Sequence, residues 1–333
     1  MTAKPTGTDE VRRSESCPLC GGVKGSHLLD APDRFHLRRE TYSLEQCSVC
    51  FAVWLQSPPK PEEMLVHYSE DYHQGIVAAG ETSGSRRWKR HRTVILNYKQ
   101  GGAILDLGCS SGAFLGTLGS GSWNLYGIEM EASTASKART DTGAEVYVGD
   151  VLAAPFPPGS FDVITCFDVL EHVYGPREIL ARVLELLKPG GVFFITLPNI
   201  RSWEARIFGT YWYGLELPRH LFHFSPRSLR GLMRSVGLEE VRVGTPLVSY
   251  VERSVGYLCT AFIQRLGFGA TPQSVRRPRS LLWRMARKAM RLGFVLPFAL
   301  AASLAGAGPS IEGVFRKRTQ SAGVDAELDQ HRS

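Results

Sequence analysis

Two Cys-x2-Cys pairs carry the most explicit chemistry in the sequence. Cys17 and Cys20 form the first pair and Cys47 and Cys50 the second, with 26 residues between the pairs. Each pair can present two thiolates from one tight turn, and four thiolates close a tetrahedral Zn2+ site with no open coordination position. Such a site is structural. Gly21 and Gly22 give the first turn its backbone freedom. Cys109, Cys166 and Cys259 stand alone, a pattern that suits a reducing compartment and metal binding over disulfides. His27 and His36 are alternative ligands that read as surface residues.

A second constellation binds rather than coordinates. Asp106, Gly108 and Gly112 form a D-x-G-x-x-x-G frame at the end of the apolar run Ala103–Cys109. Small residues there admit a ligand close to the backbone, and a helix expected from about Gly112 would offer unpaired N–H groups. Glu129 follows Asp106 by 23 residues and ends a second apolar run, Leu125–Glu129. In nucleotide-binding α/β folds an acid at that place holds both ribose hydroxyls.

These residues need a scaffold. Further strands are expected over Glu145–Asp150, Phe161–Cys166, Val192–Asn199, Leu238–Gly244 and Ser310–Lys317, with a helix over Pro176–Leu187. Strands alternating with helices predict an α/β fold: a Rossmann-like, seven-stranded, mostly parallel sheet with flanking helices and its ligand at the strand C-terminal ends. Short strands at Tyr42–Cys47 and Ala52–Leu55 frame the second cysteine pair and predict a small N-terminal zinc ribbon.

In order, ILDLGCSSGAFL, YGIEME, VGDV, FDVITCFDVLEHV and LKPGGVFFITLPN resemble the class I S-adenosylmethionine-dependent methyltransferases. The resemblance implies S-adenosylmethionine as cofactor. Asp106, Gly108, Ser110 and Gly112 would line its methionine end, Glu129 its ribose, Asp150 and Val151 its adenine, with Met130 and Phe167 completing the contact. Ser110 replaces the usual middle glycine, which a negative backbone φ would tolerate. The G-x-G-x-x-G fingerprint of dinucleotide dehydrogenases is not met. Ribbon plus methyltransferase domain resembles bacterial enzymes that methylate small metabolites, sugars or lipid-linked precursors.

Methyl transfer asks mainly for alignment, and a hydroxyl nucleophile also asks for a base. His172, just past the fourth strand, is the first candidate, followed by His220 and His223. Trp203, Phe208, Tyr211, Trp212 and Tyr213 mark a substrate-covering insertion, and Tyr68 and Tyr72 are further candidates. The expected reaction is O-methylation of a small-molecule, sugar or lipid-linked acceptor, with N or C as other acceptor atoms. RNA methylation and a non-catalytic cofactor-binding protein are the rivals.

The chain has 333 residues, 43% hydrophobic and 21% charged, which excludes a wholly disordered protein. Its net charge of +7 is unevenly placed. From Arg253 through Ile311 there are nine bases and no acid, leaving −2 for the rest. Arg284, Arg287, Lys288 and Arg291 fall on one helical stripe, and the stretch from Leu292 to Gly308 is apolar and small. This predicts contact of 276–307 with an anionic membrane surface, ahead of packing or homodimerisation, with nucleic acid behind both. The cluster Arg86–Arg92 reads as a solvated face. The expected organisation is a disordered tail (1–16), zinc ribbon (17–60), helical cap (61–100), methyltransferase core (101–246, with insertion 200–224), basic and apolar helical insertion (247–309), last strand (310–318) and a second tail (319–333). With no leader or spanning segment, the expected location is cytoplasmic, peripheral at the inner membrane face.

Overall fold

The computed structural model describes residues 16–22, 25–36, 38, 40–68, 84–119, 121–266 and 281–319, without the side chains of 281–284 and 286. Both expected tails, Tyr72 and the bases Arg276, Arg277 and Arg279 lie outside the described residues. In chain order the strands are β1 (Ser26–Pro32), β2 (Thr41–Gln46), β3 (Val53–Leu55), β4 (Gly102–Leu107), β5 (Trp123–Glu129), β6 (Glu145–Val148), β7 (Phe161–Phe167), β8 (Leu187–Pro198), β9 (Phe222–His223), β10 (Leu238–Gly244) and β11 (Ser310–Lys317). The helices are α1 (Arg86–Leu96), α2 (Ala132–Thr142), α3 (Pro176–Leu186), α4 (Trp203–Phe208), α5 (Pro226–Ser235), α6 (Val251–Arg265), α7 (Leu281–Met290) and α8 (Leu296–Leu304).

The chain forms two units. One holds residues 73–197, 229–246 and 310–333; the other holds 1–72, 198–228 and 247–309. The sequence reads the ribbon, the 200–224 insertion and the 247–309 insertion as separate pieces, and the structure gathers all three into the second unit.

The first unit is built on a seven-stranded sheet in the order β10–β11–β8–β7–β4–β5–β6. The pairs β4–β5, β4–β7, β5–β6 and β7–β8 are parallel and β10–β11 is antiparallel. This is the Rossmann-like, seven-stranded, mostly parallel sheet that the sequence predicts. The strand order reverses at β4, where the next strand moves from one side of the sheet to the other, and ligands bind at such a point. Continuous apolar runs make the central strands: Ile104, Leu105, Val163, Ile164, Phe193, Phe194 and Ile195 are all buried.

The bases Arg86, Arg87, Lys89 and Arg92 of helix α1 are exposed, as expected of a solvated face, while the opposite side of the helix is packed. Trp88, His91 and Ile95, spaced by three and four, are buried in the sheet's core. Two of its arginines are also committed. Arg87 Nη2 lies 2.6 Å from Asp168, and Arg90 Nη2 lies 2.6 Å from Glu312 on β11. Glu312 is buried, with His91 Nδ1 at 3.5 Å and Arg242 Nη1 at 3.6 Å. Burial acts to raise its carboxyl, yet His91 and Arg90 outweigh that and hold it below the usual carboxylate range. Burial lowers His91 below the usual imidazole value.

The expected helix after Gly112 is absent. The segment makes only a 3-10 turn, Leu115–Thr117. Gly112, Gly116, Gly119 and Gly121 crowd this stretch, and each glycine costs a helix about 1 kcal/mol relative to alanine.

The second unit carries an antiparallel sheet in the order β1–β2–β3–β9. The ribbon is therefore completed by a strand from the 200–224 insertion, with Trp54 opposite Phe222 and Val53 opposite His223.

Glu312→Gln is expected to cost about 1–2 kcal/mol at neutral pH, because the part-exposed Arg90 and the buried His91 lose a charged hydrogen-bond acceptor. Both folded-state values here are depressed, so stability falls as pH drops through about 6.5 for His91 and again below about 4.3 for Glu312. Urea unfolding of the variant across pH should show the second loss removed.

Candidate cofactor site and cysteine centre

The turn after β4 is bound down at several points. Cys109 N–H donates to the Ile128 carbonyl at 3.0 Å, and Gly112 N–H to the Cys109 carbonyl at 2.9 Å. Gly127 on β5 makes room for this. A Cβ there would sit 2.6 Å from the Cys109 sulfur. Gly108, Ser110 and Gly112 all have positive φ, at 66°, 48° and 77°. The negative φ expected of Ser110 is not found; it adopts the left-handed conformation that the family's glycine would take at lower cost.

Glu129 pays that turn back. Its Oε2 accepts from Ser110 N–H at 3.0 Å, and its Oε1 accepts from Glu131 N–H at 3.0 Å. Each carboxylate oxygen keeps a further lone pair, enough to take two vicinal hydroxyls. Beside it, Gly149 N–H donates to the Glu129 carbonyl at 3.0 Å, which brings the end of β6 alongside. Asp150 caps the next turn by accepting from Leu152 N–H at 2.6 Å. Met130 and Leu152 flank these acids with large apolar side chains left in solvent, at 70% and 50% exposure. Two apolar side chains around strand-end acids are what a purine and ribose would cover, so the residues fit the cofactor.

Two expected cofactor residues are buried. Asp106 is buried beneath the turn, accepting from Thr165 Oγ1 at 2.6 Å across the β4–β7 pair. Phe167 is buried in an aromatic cluster, 4.8 Å from Phe114, 5.3 Å from Trp88 and 4.7 Å from His91, centroid to centroid. Cys109 is a neutral thiol: burial raises it, and so do the charges of Asp106 and Glu129.

His172 is half-buried on the turn after β7, its N–H donating to the Val169 carbonyl at 3.0 Å. Val169 lies against Gly108, where a Cβ would approach its Cγ2 to 2.7 Å. His172 thus stands three residues from the side chain that touches the glycine turn. Sequence reasoning missed its neighbour Asp168. That residue holds φ 55°, accepts from Thr196 Oγ1 at 3.0 Å and pairs with Arg87. A short acid just past a strand is the signal that fits a left-handed position.

In the other unit the four cysteines converge. Cys17 and Cys50 sulfurs are 3.6 Å apart, as are those of Cys20 and Cys47, and all four lie within 4.8 Å of one another. A tetrahedron with 2.3 Å Zn–S bonds has S–S edges of about 3.8 Å. Backbone N–H groups of Gly22 and Val49 point at Cys20 and Cys47 sulfurs, 3.4 and 3.3 Å away. The Cys50 thiol beside Cys17 lowers Cys17 to about 5, so one of that pair is a ready thiolate. The cluster can hold a metal ion.

His36 is no surface residue. Asp33, fully buried, accepts from the N–H groups of Phe35 and His36 at 2.9 and 3.1 Å and faces Nδ1 of His36 at 2.9 Å and of His67 at 3.2 Å. Buried Arg219 reaches it at 3.5 Å and donates to the His67 carbonyl at 3.3 Å. Arg34 donates to the Thr210 carbonyl at 2.8 Å and stacks on Tyr211 at 3.7 Å. In the aromatic insertion Trp212 is buried and Tyr213 stacks on Tyr257, while Trp203, Phe208, Tyr211 and Tyr213 are half-buried. His220 and His223, also buried, each set a ring nitrogen 3.0 Å from a carbonyl, of Gly214 and Leu215. That contact fixes the donating tautomer and anchors the 213–217 turn.

Residues 82–243 match the model of a methyltransferase domain. The ubiquinone biosynthesis O-methyltransferase of Burkholderia thailandensis is 31% identical over 156 residues, 43% of this chain and 67% of the relative. The chain belongs to the S-adenosylmethionine-dependent methyltransferases. The enzyme of the same name from Thiobacillus denitrificans is 32% identical over 165 residues, 46% of this chain and 69% of the relative. An S-adenosylmethionine-dependent methyltransferase structure from Mesorhizobium loti aligns at 17% identity over 70% of this chain and 99% of that one, with a TM-score of 0.46.

Glu129→Ala should weaken S-adenosylmethionine binding at least tenfold, about 1.4 kcal/mol or more, because it removes both the ribose acceptors and the pin on the Ser110 turn. Calorimetry measures it, and an unchanged affinity would remove Glu129 from the site.

Proposed function

We propose that this methyltransferase transfers the methyl group of S-adenosylmethionine to a hydroxyl of a small-molecule acceptor, with His172 taking the hydroxyl proton. The pinned turn carries the reading: Glu129 fastened to Ser110 N–H, with Gly108 pressed on Val169 three residues before His172. The oxygen acceptor is supported by the relatives named as O-methyltransferases of ubiquinone biosynthesis. Bound S-adenosylmethionine supplies a methyl on a sulfonium, already an activated electrophile. Gly108 and Gly112 let it approach the backbone, Glu129 takes its ribose hydroxyls, and Asp150, Val151 and Met130 take its adenine. Held there by Glu129 and the glycine turn, it would give its methyl to the acceptor oxygen and leave as the neutral thioether. The acceptor proton passes to His172 and then to water. An imidazole suits this step because its ordinary pKa lies near neutrality.

His220 and His223 are assigned to positioning, since each already spends a ring nitrogen on a carbonyl. The cysteine cluster is assigned to structural Zn2+, which four thiolates would hold without an open position. Lipid-linked hydroxyl acceptors fall within the same reading.

His172→Ala should lower kcat by about 10^2 to 10^4 while leaving the S-adenosylmethionine Kd within about twofold. Labelled methyl from the cofactor, offered to cell extract, should enter ethers in the small-molecule or lipid fraction; labelling confined to RNA would overturn the acceptor assignment. Elemental analysis of the purified protein should find about one zinc per chain, lost in Cys47→Ser, and a zinc-free wild type would refute the ribbon.

A further inference from the structure

The helical stretch that follows α6 is packed inside out. On α8 the small residues Ala299 and Ala302 are buried, while Leu296, Leu300 and Leu304 point into solvent, Leu304 at 81% exposure. The π turn before it, Arg291–Val295, does the same with Leu292 at 56% and Phe294 at 77%. Leu292, Leu296, Leu300 and Leu304 recur at four-residue steps, so successive members are neighbours along the helix surface. Lys288 continues the series one step back and is exposed, and Arg291 adjoins Leu292, also exposed. Single exposed leucines need no explanation, but a continuous row does.

The basic stripe expected from the sequence is only partly free to bind. Arg287 is spent on Glu252 at 2.5 Å, and Arg291 Nε lies 3.9 Å from the same carboxylate. The exposed basic ends at Lys288 and Arg291 are what remains beside the leucine row among the described residues. No acid occurs anywhere from Arg253 to Ile311.

We propose that this face lies on an anionic bilayer surface, with Leu292, Phe294, Leu296, Leu300 and Leu304 entering the headgroup–acyl boundary and Lys288 and Arg291 meeting lipid phosphates. A row of exposed leucines with exposed cations at its N-terminal end offers two attractions that such a surface satisfies together, and Phe294, two positions from Leu292 and Leu296, extends the apolar area around the helix. A symmetric second copy would cover the leucines, but the same stretch on its side carries no acid to meet Lys288 and Arg291. Nucleic acid would satisfy the cations and leave the leucines against phosphate. Among the described residues no helix is long and apolar enough to cross a membrane, so the stretch lies on the surface. The inference goes beyond the methyl-transfer reading and does not depend on it.

Co-flotation of the full chain with vesicles tests it. Wild type should bind phosphatidylcholine vesicles containing about one-third phosphatidylglycerol, bind pure phosphatidylcholine far less, and release as salt is raised. Phe294→Ser/Leu300→Ser/Leu304→Ser should lose about tenfold in vesicle partition with its melting temperature kept, because these side chains are already in water. Lys288→Glu/Arg291→Glu should abolish the preference for the anionic vesicles. Equal binding by the triple-serine variant, no binding by wild type, or a wild-type dimer in sedimentation that the serines dissolve would each overturn the proposal.

Discussion

One carboxylate holds the functional end of the sheet in shape. Glu129 accepts from Ser110 N–H on one oxygen and from Glu131 N–H on the other. The turn it fastens carries positive φ at Gly108, Ser110 and Gly112, a conformation that a non-glycine residue adopts at a cost of about 1–2 kcal/mol. A charge-assisted hydrogen bond from the backbone of the strained residue itself offsets that cost. The same oxygens are the ones proposed to take the ribose hydroxyls.

Behind this turn, polar contacts, buried at Asp106 and Glu312 and part-exposed at Asp168, tie the strand ends and the first helix together. Asp106 takes the Thr165 hydroxyl across the β4–β7 pair, and Asp168 takes both Thr196 and Arg87. Glu312 gathers Arg90, His91 and Arg242 from two directions. Buried ion groups of this kind add little net stability over apolar packing, but leaving one partner alone is costly, so they fix which elements meet. Helix α1 is held by such pairs at Arg87 and Arg90 and by packing at Trp88 and Ile95.

The second unit repeats this logic with different chemistry. The cysteine cluster sets the ribbon turns, and Asp33 at the end of β1 gathers His36, His67 and Arg219. Burial acts to raise Asp33, and Arg219 with His36 outweighs it and keeps the carboxyl low. Because β9 pairs with β3 and Arg34 holds Thr210, the ribbon and the 210–223 segment fold as one body. Within that body Trp212 is the buried aromatic of the insertion.

The sequence alone determined what depends on neighbours in the chain. Strand β10 and strand β11 fall where the apolar runs place them, the two Cys-x2-Cys turns are visible as spacing, and Glu129 is marked by its distance from Asp106. Local reasoning erred where composition overrode pattern, as in the glycine-rich stretch after Gly112 that makes only a 3-10 turn. Tertiary structure decided the rest. It alone paired β3 with β9, buried Arg219 against Asp33, turned α1 inward, and left the α8 leucines outside. The physical reason is that a side chain's periodicity says which face of an element is apolar, while its partner is chosen by chain closure over a hundred residues or more. That choice is fixed only when the groups are desolvated together.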